Sequence, residues 1–220
     1  IFFGGITGTK NADADADVTL NGENADDRFG GFLRTGGNYS ANAIASAGDF
    51  NGDGIDDIIV GASNDFGNAD DSGSAFIFFG GITGTKRADD ADVILNGQSS
   101  NDDFGQSVAS AGDFNGDGKS DVIIGAPEDD TDNGCGGCSI GRAFIFFGGI
   151  TGTKTADADA DVILNGQSAG NFGQSVASAG DFNSDGKDDV IIGSNTLIDK
   201  GSAFIFFGGI TGTKTADADA

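Results

Sequence analysis

One decapeptide, IFFGGITGTK, occurs four times in this 220-residue chain without a single change. The copies occupy residues 1–10, 77–86, 145–154 and 205–214, so successive copies begin 76, 68 and 60 residues apart. Such a period is typical of tandem arrays, in which each repeat is one supersecondary unit that buries its apolar faces against its neighbours. The chain is therefore predicted to fold as about three stacked units.

The other repeated segments support this division. The block SAGDFN begins at Ser46, Ser110 and Ser178, and VILNGQS occupies residues 93–99 and 162–168. A first unit carries an insertion before its SAGDFN block, and loops absorb such insertions at little cost in free energy.

Inside each unit the apolar residues form runs that are too short for a helix and are bounded by Gly, Asn or Asp. Four such runs per unit predict four strands. Runs such as Ala143–Phe147 are apolar at consecutive positions, so both faces of the strand need to be buried. Small sheets stacked face to face, as in a β-propeller, meet this requirement. The predicted fold is all-β, a β-propeller-like array of four-stranded antiparallel blades.

The composition excludes several classes of function. The chain has 35 acidic and 11 basic side chains and a formal net charge of −24, so it lacks the basic face that binds a nucleic-acid backbone. It contains no His, the commonest general base and zinc ligand. No apolar run approaches membrane-spanning length, so membrane insertion is not expected.

Each unit carries an acidic loop between its first and second predicted strands, at residues 49–57, 113–121 and 181–189. The shared pattern is Asp-x-Asn-x-Asp-Gly-x-x-Asp. Side-chain oxygens at positions 1, 3, 5 and 9, a main-chain carbonyl at position 7 and a turn-forming Gly at position 6 suit a hard cation with many oxygen ligands. Calcium fits better than magnesium, which requires a tighter octahedron and retains its waters.

An EF-hand begins similarly but needs a Glu at position 12 and a following helix, whereas here position 12 lies in an apolar β-branched run. Asp, Asn and Gly also form turns without metal. Three copies keep the ligand positions while Gly52 and Gly116 become Ser184, which favours metal binding. About three Ca²⁺ ions are expected, and folding should depend on them. The predicted ligands are the side chains of Asp49, Asn51, Asp53, Asp57, Asp113, Asn115, Asp117, Asp121, Asp181, Asn183, Asp185 and Asp189, with the main-chain carbonyls of Ile55, Lys119 and Lys187.

Phe104-Gly105, the loop Asp113–Asp121 and Gly125-Ala126-Pro127 follow one another in sequence. This combination resembles the FG-GAP repeat of integrin α-chain β-propellers, which also occurs in bacterial surface and secreted proteins, and the bacterial extracellular type is expected here. The resemblance covers nearly the whole chain. It implies a propeller blade whose loop between the first and second strands binds calcium.

The chain departs from this pattern in two ways. Gly61-Ala62-Ser63 and Gly193-Ser194-Asn195 replace Gly-Ala-Pro, and Phe29-Gly30 stands far from its loop. The predicted parts are the last strands of a preceding blade, a first repeat with an insertion, a second repeat and an incomplete third repeat. These parts occupy residues 1–28, 29–103, 104–171 and 172–220.

Cys135 and Cys138 lie in an Asn/Gly/Ser-rich stretch that is predicted to be a surface loop. A disulfide in an oxidising compartment is favoured over a redox pair. A zinc half-site is disfavoured because no second Cys or His pair completes four ligands. The expected location is therefore extracellular or at the cell surface, as for a secreted protein.

Two further motifs have ordinary structural interpretations. Gly149–Lys154 fails the spacing of a phosphate-binding loop, and a Gly-rich hairpin between the third and fourth strands is predicted instead. The alternating runs Ala12–Asp17 and Ala156–Asp161 are interpreted as solvated edges that lead into strands, in preference to a comb of carboxylates for cations. Every clustered Asp belongs to a loop or to such a run, so no catalytic pair is identified.

The predicted function is non-enzymatic: a calcium-stabilised extracellular structural module from a surface or fibre-forming protein that assembles head to tail. Residues 1–22 supply the last two strands of one unit, and the last unit lacks its fourth strand, so copies are expected to complete one another's blades. The alternative is part of a closed integrin-like β-propeller that mediates adhesion or ligand binding. The expected partners are other copies of the chain, or a protein or glycan ligand.

Overall fold

The computed structural model of the chain describes residues 1, 9, 11–24, 27–31, 43–65, 72–130, 139–167, 170–195 and 201–216. Its strands are β1 (Val18–Asn21), β2 (Ile44–Gly48), β3 (Asp57–Ala62), β4 (Ser74–Phe78), β5 (Gly84–Arg87), β6 (Val93–Asn96), β7 (Ser107–Gly112), β8 (Asp121–Ala126), β9 (Arg142–Phe146), β10 (Gly152–Thr155), β11 (Val162–Asn165), β12 (Ser175–Gly180), β13 (Asp189–Ser194), β14 (Ser202–Phe206) and β15 (Gly212–Thr215). Short helices occupy Ala12–Asp15 (α1) and Ala156–Asp159 (α2), with a 3₁₀ turn at Ala88–Asp90. No helix in these ranges is long and apolar enough to cross a bilayer.

The strands form successive antiparallel blades, which confirms the predicted fold class. Blade 1 consists of β2, β3, β4 and β6, and blade 2 of β7, β8, β9 and β11. In the described part of the chain, blade 3 consists of β12, β13 and β14. The first strands of consecutive blades, β2, β7 and β12, lie beside one another.

Both faces of the central strands are buried, as the continuous apolar runs predict. Along β8, Val122 and Ile124 join the core between blades 1 and 2, while Ile123 joins the core between blades 2 and 3. Phe104 packs in the first of these cores, with its ring centroid 5.5 Å from that of Phe144, and Phe172 packs in the second. Hydrophobic burial between blades therefore holds the array together.

A fifth strand, which was not expected from the sequence, joins each blade to the repeat that follows it. The end of the decapeptide forms β5, β10 and β15, and each of these pairs in parallel with the fourth strand of the preceding unit: β1, β6 and β11. The expected hairpin over Gly149–Lys154 is therefore wrong. The fourth strand has an open edge, and the passing segment uses that edge to pair its main-chain N–H and C=O groups.

The alternating Ala-Asp runs are helical turns rather than strand edges. In α2, Ala156 is buried, and the Asp159 carboxylate accepts a hydrogen bond of 2.8 Å from the N–H of Thr155. Ala is the best helix former, and Asp stabilises the start of a helical turn by accepting such bonds. The runs do lead into strands, because β1 and β11 follow α1 and α2.

The Phe-Gly and Gly-Ala segments of each repeat meet through one main-chain hydrogen bond. The first Gly donates to the carbonyl of the second in the pairs Gly30–Gly61, Gly105–Gly125 and Gly173–Gly193, at 2.9, 3.1 and 3.2 Å. Phe29-Gly30 thus occupies the same place as the other two copies despite the insertion. A Cβ at Gly61 would lie 1.9 Å from the carbonyl oxygen of Gly105, so only glycine permits the blades to approach this closely.

Candidate calcium loops

The three acidic segments connect the first and second strands of their blades, as predicted. We call residues 49–57, 113–121 and 181–189 loops 1, 2 and 3. A register shift between Ser46 and Gly48 ends the β2–β3 ladder, and equivalent shifts precede loops 2 and 3. Each loop therefore leaves its sheet through a β-bulge, which redirects the chain toward solvent.

The first residue of each loop organises the turn. One oxygen of Asp49 accepts hydrogen bonds from the N–H groups of Gly52 and Asp53 at 2.8 and 2.9 Å, and the other accepts one from Gly54 at 2.9 Å. Asp113 makes the same three bonds in loop 2, and Asp181 bonds to the N–H groups of Asp185 and Gly186. The sequence pattern thus folds into one local structure three times.

Positions 3 and 5 lie next to each other at the exposed tip of the loop. The Asn51 amide oxygen accepts a 2.7 Å bond from the N–H of Asp53, and the Asn51 side-chain nitrogen donates to the Asp53 carboxylate at 2.9 Å. The same pair of bonds recurs in the other two loops. The structure therefore brings the predicted ligands at positions 1, 3 and 5 into one short segment.

Position 9 lies at the buried base of the loop. One oxygen of Asp57 accepts bonds from the N–H groups of Phe50 and Asn51, and the other accepts a 2.7 Å bond from Gly80. Asp121 and Asp189 bind Gly148 and Gly208 in the same way. Burial raises the pKa of Asp57, and it raises that of Asp121 to about 6, although main-chain hydrogen bonds lower both.

The donor chemistry of the loops fits a hard cation. None of the nine carboxylates at positions 1, 5 and 9 of the loops forms an ion pair within the described ranges, and the position-7 carbonyls accept no hydrogen bond there. In the same ranges, no three Asp, Glu, His or Cys side chains are gathered as a finished metal site, since the carboxylates face main-chain N–H groups. The calcium ligands therefore stay predictions, supported by an all-oxygen donor set without a countercharge.

A Gly-Gly pair that was not among the predicted site residues contacts two loops at once. The N–H of Gly148 donates to Asp121 in loop 2 at 2.9 Å, and that of Gly149 donates to the carbonyl of Phe50 in loop 1 at 2.7 Å. Gly208 and Gly209 repeat this arrangement for loops 3 and 2. The unchanged Gly-Gly of every decapeptide is the signal that identifies these residues.

Comparison with protein families gives a result that agrees with this geometry. The family model described as "FG-GAP repeat" matches residues 41–78, 104–146 and 172–202, which is half of the chain. The chain belongs to the FG-GAP repeat family. Each matched segment of this FG-GAP chain contains one acidic loop with the strands on either side of it.

The similar curated proteins include integrin α-chains. Integrin alpha-3 of Cricetulus griseus is 31% identical over 163 residues, which cover 72% of this chain and 14% of the integrin. Integrin alpha-6 of Gallus gallus is 34% identical over 158 residues, covering 71% and 13%. Phosphatidylinositol-glycan-specific phospholipase D of Homo sapiens is 36% identical over 115 residues, covering 48% and 13%. The chain therefore spans about one seventh of the length of the integrins that it matches.

Two predictions are untouched by these comparisons. The relatives named are vertebrate proteins, so the bacterial type stays a prediction. One of them carries the name of an enzyme, so the predicted lack of enzymatic activity also stays a prediction.

Cys135 and Cys138 lie outside the described residues, as does most of the insertion in the first repeat. The predicted disulfide therefore stays a prediction.

The two ends of this FG-GAP array expose the surfaces that its interior buries. Phe182 of loop 3 is 66% exposed, whereas the equivalent Phe50 and Phe114 are fully buried under the next repeat. On the opposite side, Ile44 of β2 is 59% exposed, whereas the equivalent Val108 of β7 is buried against the preceding blade. Phe182 and Ile44 therefore occupy positions that a neighbouring repeat covers in blades 1 and 2 and in blade 2, respectively.

A buried charge cluster lies between blades 1 and 2. Arg142 forms ion pairs with Asp129 at 2.6 Å and with Asp157 at 2.8 Å, and its guanidinium carbon lies 5.0 Å from the centre of the Phe144 ring. Asp102 is also buried there, and its pKa is raised to about 7 by burial and by the charge of Asp129. The first and third blades have Ser74 and Ser202 in place of Arg142, so this cluster distinguishes blade 2.

Proposed function

We propose that this chain is a calcium-stabilised FG-GAP module of an extracellular structural protein, in which repeats stack head to tail. The observation that carries the proposal is the regular contact between consecutive acidic loops, each with an all-oxygen donor set and no ion-pair partner among the described residues. The repeat boundaries at residues 29, 104 and 172 and the extracellular location are part of the proposal.

Calcium has an electrostatic role in this proposal. Loop 2 places three carboxylates within nine residues and loops 1 and 3 place four each, and the chain as a whole carries a net charge of −24. Ca²⁺ held by positions 1, 3, 5 and 9 and the position-7 carbonyl would offset this repulsion at the loop. Because loop residues also hold the next repeat, the ion stabilises the contact between blades as well as the loop.

Head-to-tail assembly is supported by the two exposed ends. The surface around Phe182 is what a following repeat covers inside the array, and the surface around Ile44 is what a preceding repeat covers. A second copy offers both surfaces in the correct order. Such a heterologous contact produces a filament when the rotation between copies does not close, and a ring when it does.

The second candidate is part of a closed integrin-like propeller that binds a protein or glycan ligand. The observation that favours it is the similarity to integrin alpha-3 and alpha-6 over more than two thirds of the chain. Under this proposal other FG-GAP repeats of a longer protein cover the ends, and the loops on one side bind the ligand.

Calcium removal tests the core of the proposal. We expect thermal unfolding to shift to lower temperature by several degrees on chelation, and readdition of Ca²⁺ but not of equimolar Mg²⁺ to restore it. The triple variant Asp53→Asn, Asp117→Asn, Asp185→Asn should lose this response. The matched control Asp89→Asn, Asp90→Asn, Asp159→Asn removes the same charge outside the loops and should keep it. Identical melting curves with and without chelator would overturn the proposal.

Sedimentation velocity and electron microscopy separate the two candidates. A filament module should sediment faster as its concentration rises, and Phe182→Asp should abolish this dependence. Thr153→Asp adds the same charge to an exposed position of β10, away from both ends, and should leave it unchanged. Discrete rings in micrographs would reject the filament and favour the closed propeller.

A further inference from the structure

The second repeat binds loop 1 through hydrogen bonds between main-chain groups. The carbonyl oxygen of Phe50 accepts a 2.7 Å hydrogen bond from Gly149, and that of Asp49 accepts a 3.1 Å bond from the N–H of Ser120. Ser120 is position 8 of loop 2, so two loops in different repeats are in direct contact. Asp49 is also the first predicted calcium ligand of loop 1, so the second repeat holds the residue around which loop 1 turns.

Loop 2 is bound by the third repeat in the same way and through one more bond. The carbonyls of Phe114 and Asp113 accept bonds of 2.7 and 3.2 Å from Gly209 and Asp188. The Asp188 carboxylate also accepts a 2.8 Å bond from the N–H of Asp113. Asp188 therefore fixes both main-chain polar groups of the first predicted ligand of a loop to which it does not belong.

Loop 3 has the same local hydrogen bonds except the one from position 4, where Ser184 replaces Gly, but it has no equivalent support among the described residues. In the described ranges, the carbonyls of Asp181 and Phe182 accept no hydrogen bond from another repeat. The Phe182 side chain is 66% exposed, whereas its two equivalents are fully buried. Loops of one sequence pattern thus exist in two environments, supported and unsupported.

We propose that each calcium loop is completed by the repeat that follows it. Loops 1 and 2 are then high-affinity sites, and loop 3 is a weaker site that tightens when another FG-GAP repeat covers blade 3. This inference rests on the calcium binding proposed above. Its physical basis is preorganisation, because a loop whose main chain is already fixed loses less conformational entropy when it binds an ion.

The expected difference in affinity is about tenfold or more, since two to three main-chain hydrogen bonds separate a supported loop from an unsupported one. By reciprocal linkage, calcium in loop 3 strengthens the docking of the next repeat by the same factor. Calcium would therefore promote head-to-tail association as well as the stability of each blade.

Calorimetric titration of the chelated chain tests the inference. At a concentration where the chain is monomeric, two ions should bind tightly and a third about tenfold more weakly. Asp185→Asn should remove the weak phase and leave two tight sites, whereas Asp53→Asn should remove a tight one. Three equal sites, or loss of a tight site in Asp185→Asn, would overturn the inference while leaving the proposed function in place. Absence of any calcium binding would overturn the proposed function itself, and the inference with it.

The role of Asp188 as a positioning residue has its own test. Asp188→Ala and Asp188→Asn remove the same charge, but only Asn retains an acceptor for the N–H of Asp113. We expect Asp188→Ala to weaken one tight site, that of loop 2, and Asp188→Asn to restore it. Asp56 is position 8 of loop 1 and is exposed, so the variants Asp56→Ala and Asp56→Asn should have equal calcium affinities. Equal affinities in the two Asp188 variants would refute the positioning role.

Discussion

The carboxyl group of Asp102 makes the stability of this chain depend on pH in a calculable way. The side chain is only 3% exposed, and one of its oxygens accepts a 3.2 Å hydrogen bond from the N–H of Ser99. Burial and the neighbouring charge of Asp129 raise its pKa from 3.8 to about 7, although Arg142 acts in the opposite direction. The folded chain therefore binds a proton at this position over a pH range in which the unfolded chain does not.

The size of the effect follows from linkage. A pKa raised by about three units corresponds to about 4 kcal/mol, at 1.36 kcal/mol per unit, and this value is an upper bound for one group. Between about pH 4 and pH 7 the folded state holds more protons than the unfolded state, so the contribution of Asp102 to stability decreases as the pH rises. Above pH 7 the ionised group destabilises the fold by a constant amount.

The variant Asp102→Asn removes this ionisation and retains an acceptor for the N–H of Ser99. We expect its unfolding free energy to exceed that of the unaltered chain by about 1 kcal/mol near pH 4.5 and by up to about 4 kcal/mol at pH 8. Urea denaturation of both chains at a fixed free calcium concentration measures the difference at each pH. Glu23→Gln, at an exposed position, removes one charge from the same acidic chain and should show no pH-dependent gain.

The difference between Asp102→Asn and the unaltered chain isolates the titration of this one carboxyl group. Other carboxyl groups, including Asp121, titrate in both chains and cancel in the difference. A difference that stays constant between pH 4.5 and pH 8, or that is largest at the acidic end, would refute the reasoning. A gain at pH 8 that Glu23→Gln shares would assign the effect to net charge.

Two further predictions concern the interface between blades 1 and 2. Arg142→Ser should lower the unfolding free energy by about 3–5 kcal/mol, because it leaves the buried Asp129 and the half-buried Asp157 without their cation. Arg87→Ser, at an exposed pair, should lower it by less than about 1 kcal/mol in the same denaturation experiment. Phe104→Ala should lower the unfolding free energy by about 3–5 kcal/mol, because it leaves a cavity in the core between the blades. Phe182→Ala in the monomeric chain should change the unfolding free energy by less than about 0.5 kcal/mol, because that side chain is exposed. A cost for Phe104→Ala below that for Phe182→Ala would place the core elsewhere.

The blades were predictable because the apolar pattern that indicates each strand lies within one short segment. Consecutive apolar residues such as Val122, Ile123 and Ile124 need two covered faces, and only a neighbour on each side provides them. The acidic loops were predictable for the same reason, since the turn around Asp49 or Asp113 depends on residues within the loop. Repetition then showed that each pattern occurs once per blade.

Contacts between repeats were not predictable from local patterns. The segment Gly152–Thr155 is short and polar, and nothing in its own sequence indicates that it pairs with β6 of the preceding unit. The alternating Ala-Asp run has a period of two, which suggests a strand, yet the helix propensity of Ala and hydrogen bonds from Asp produce a helical turn. The bond from Gly149 to Phe50 joins residues almost one hundred positions apart.

These contacts account for the identity of the decapeptides at residues 77–86, 145–154 and 205–214. In the copy at residues 145–154, the phenylalanines pack into the cores, Gly148 binds loop 2, Gly149 binds loop 1, and β10 pairs with the last strand of blade 1. One short segment thus contacts its own repeat and the preceding one along most of its length. A substitution in this segment has to be compatible with both repeats, and the preceding repeat presents the same surface to the copies at residues 145–154 and 205–214. Regular stacking of the repeats therefore constrains the sequence of this segment. By contrast, the connections between the second and third strands, at residues 63–73 and 127–141, differ in sequence and length between the repeats.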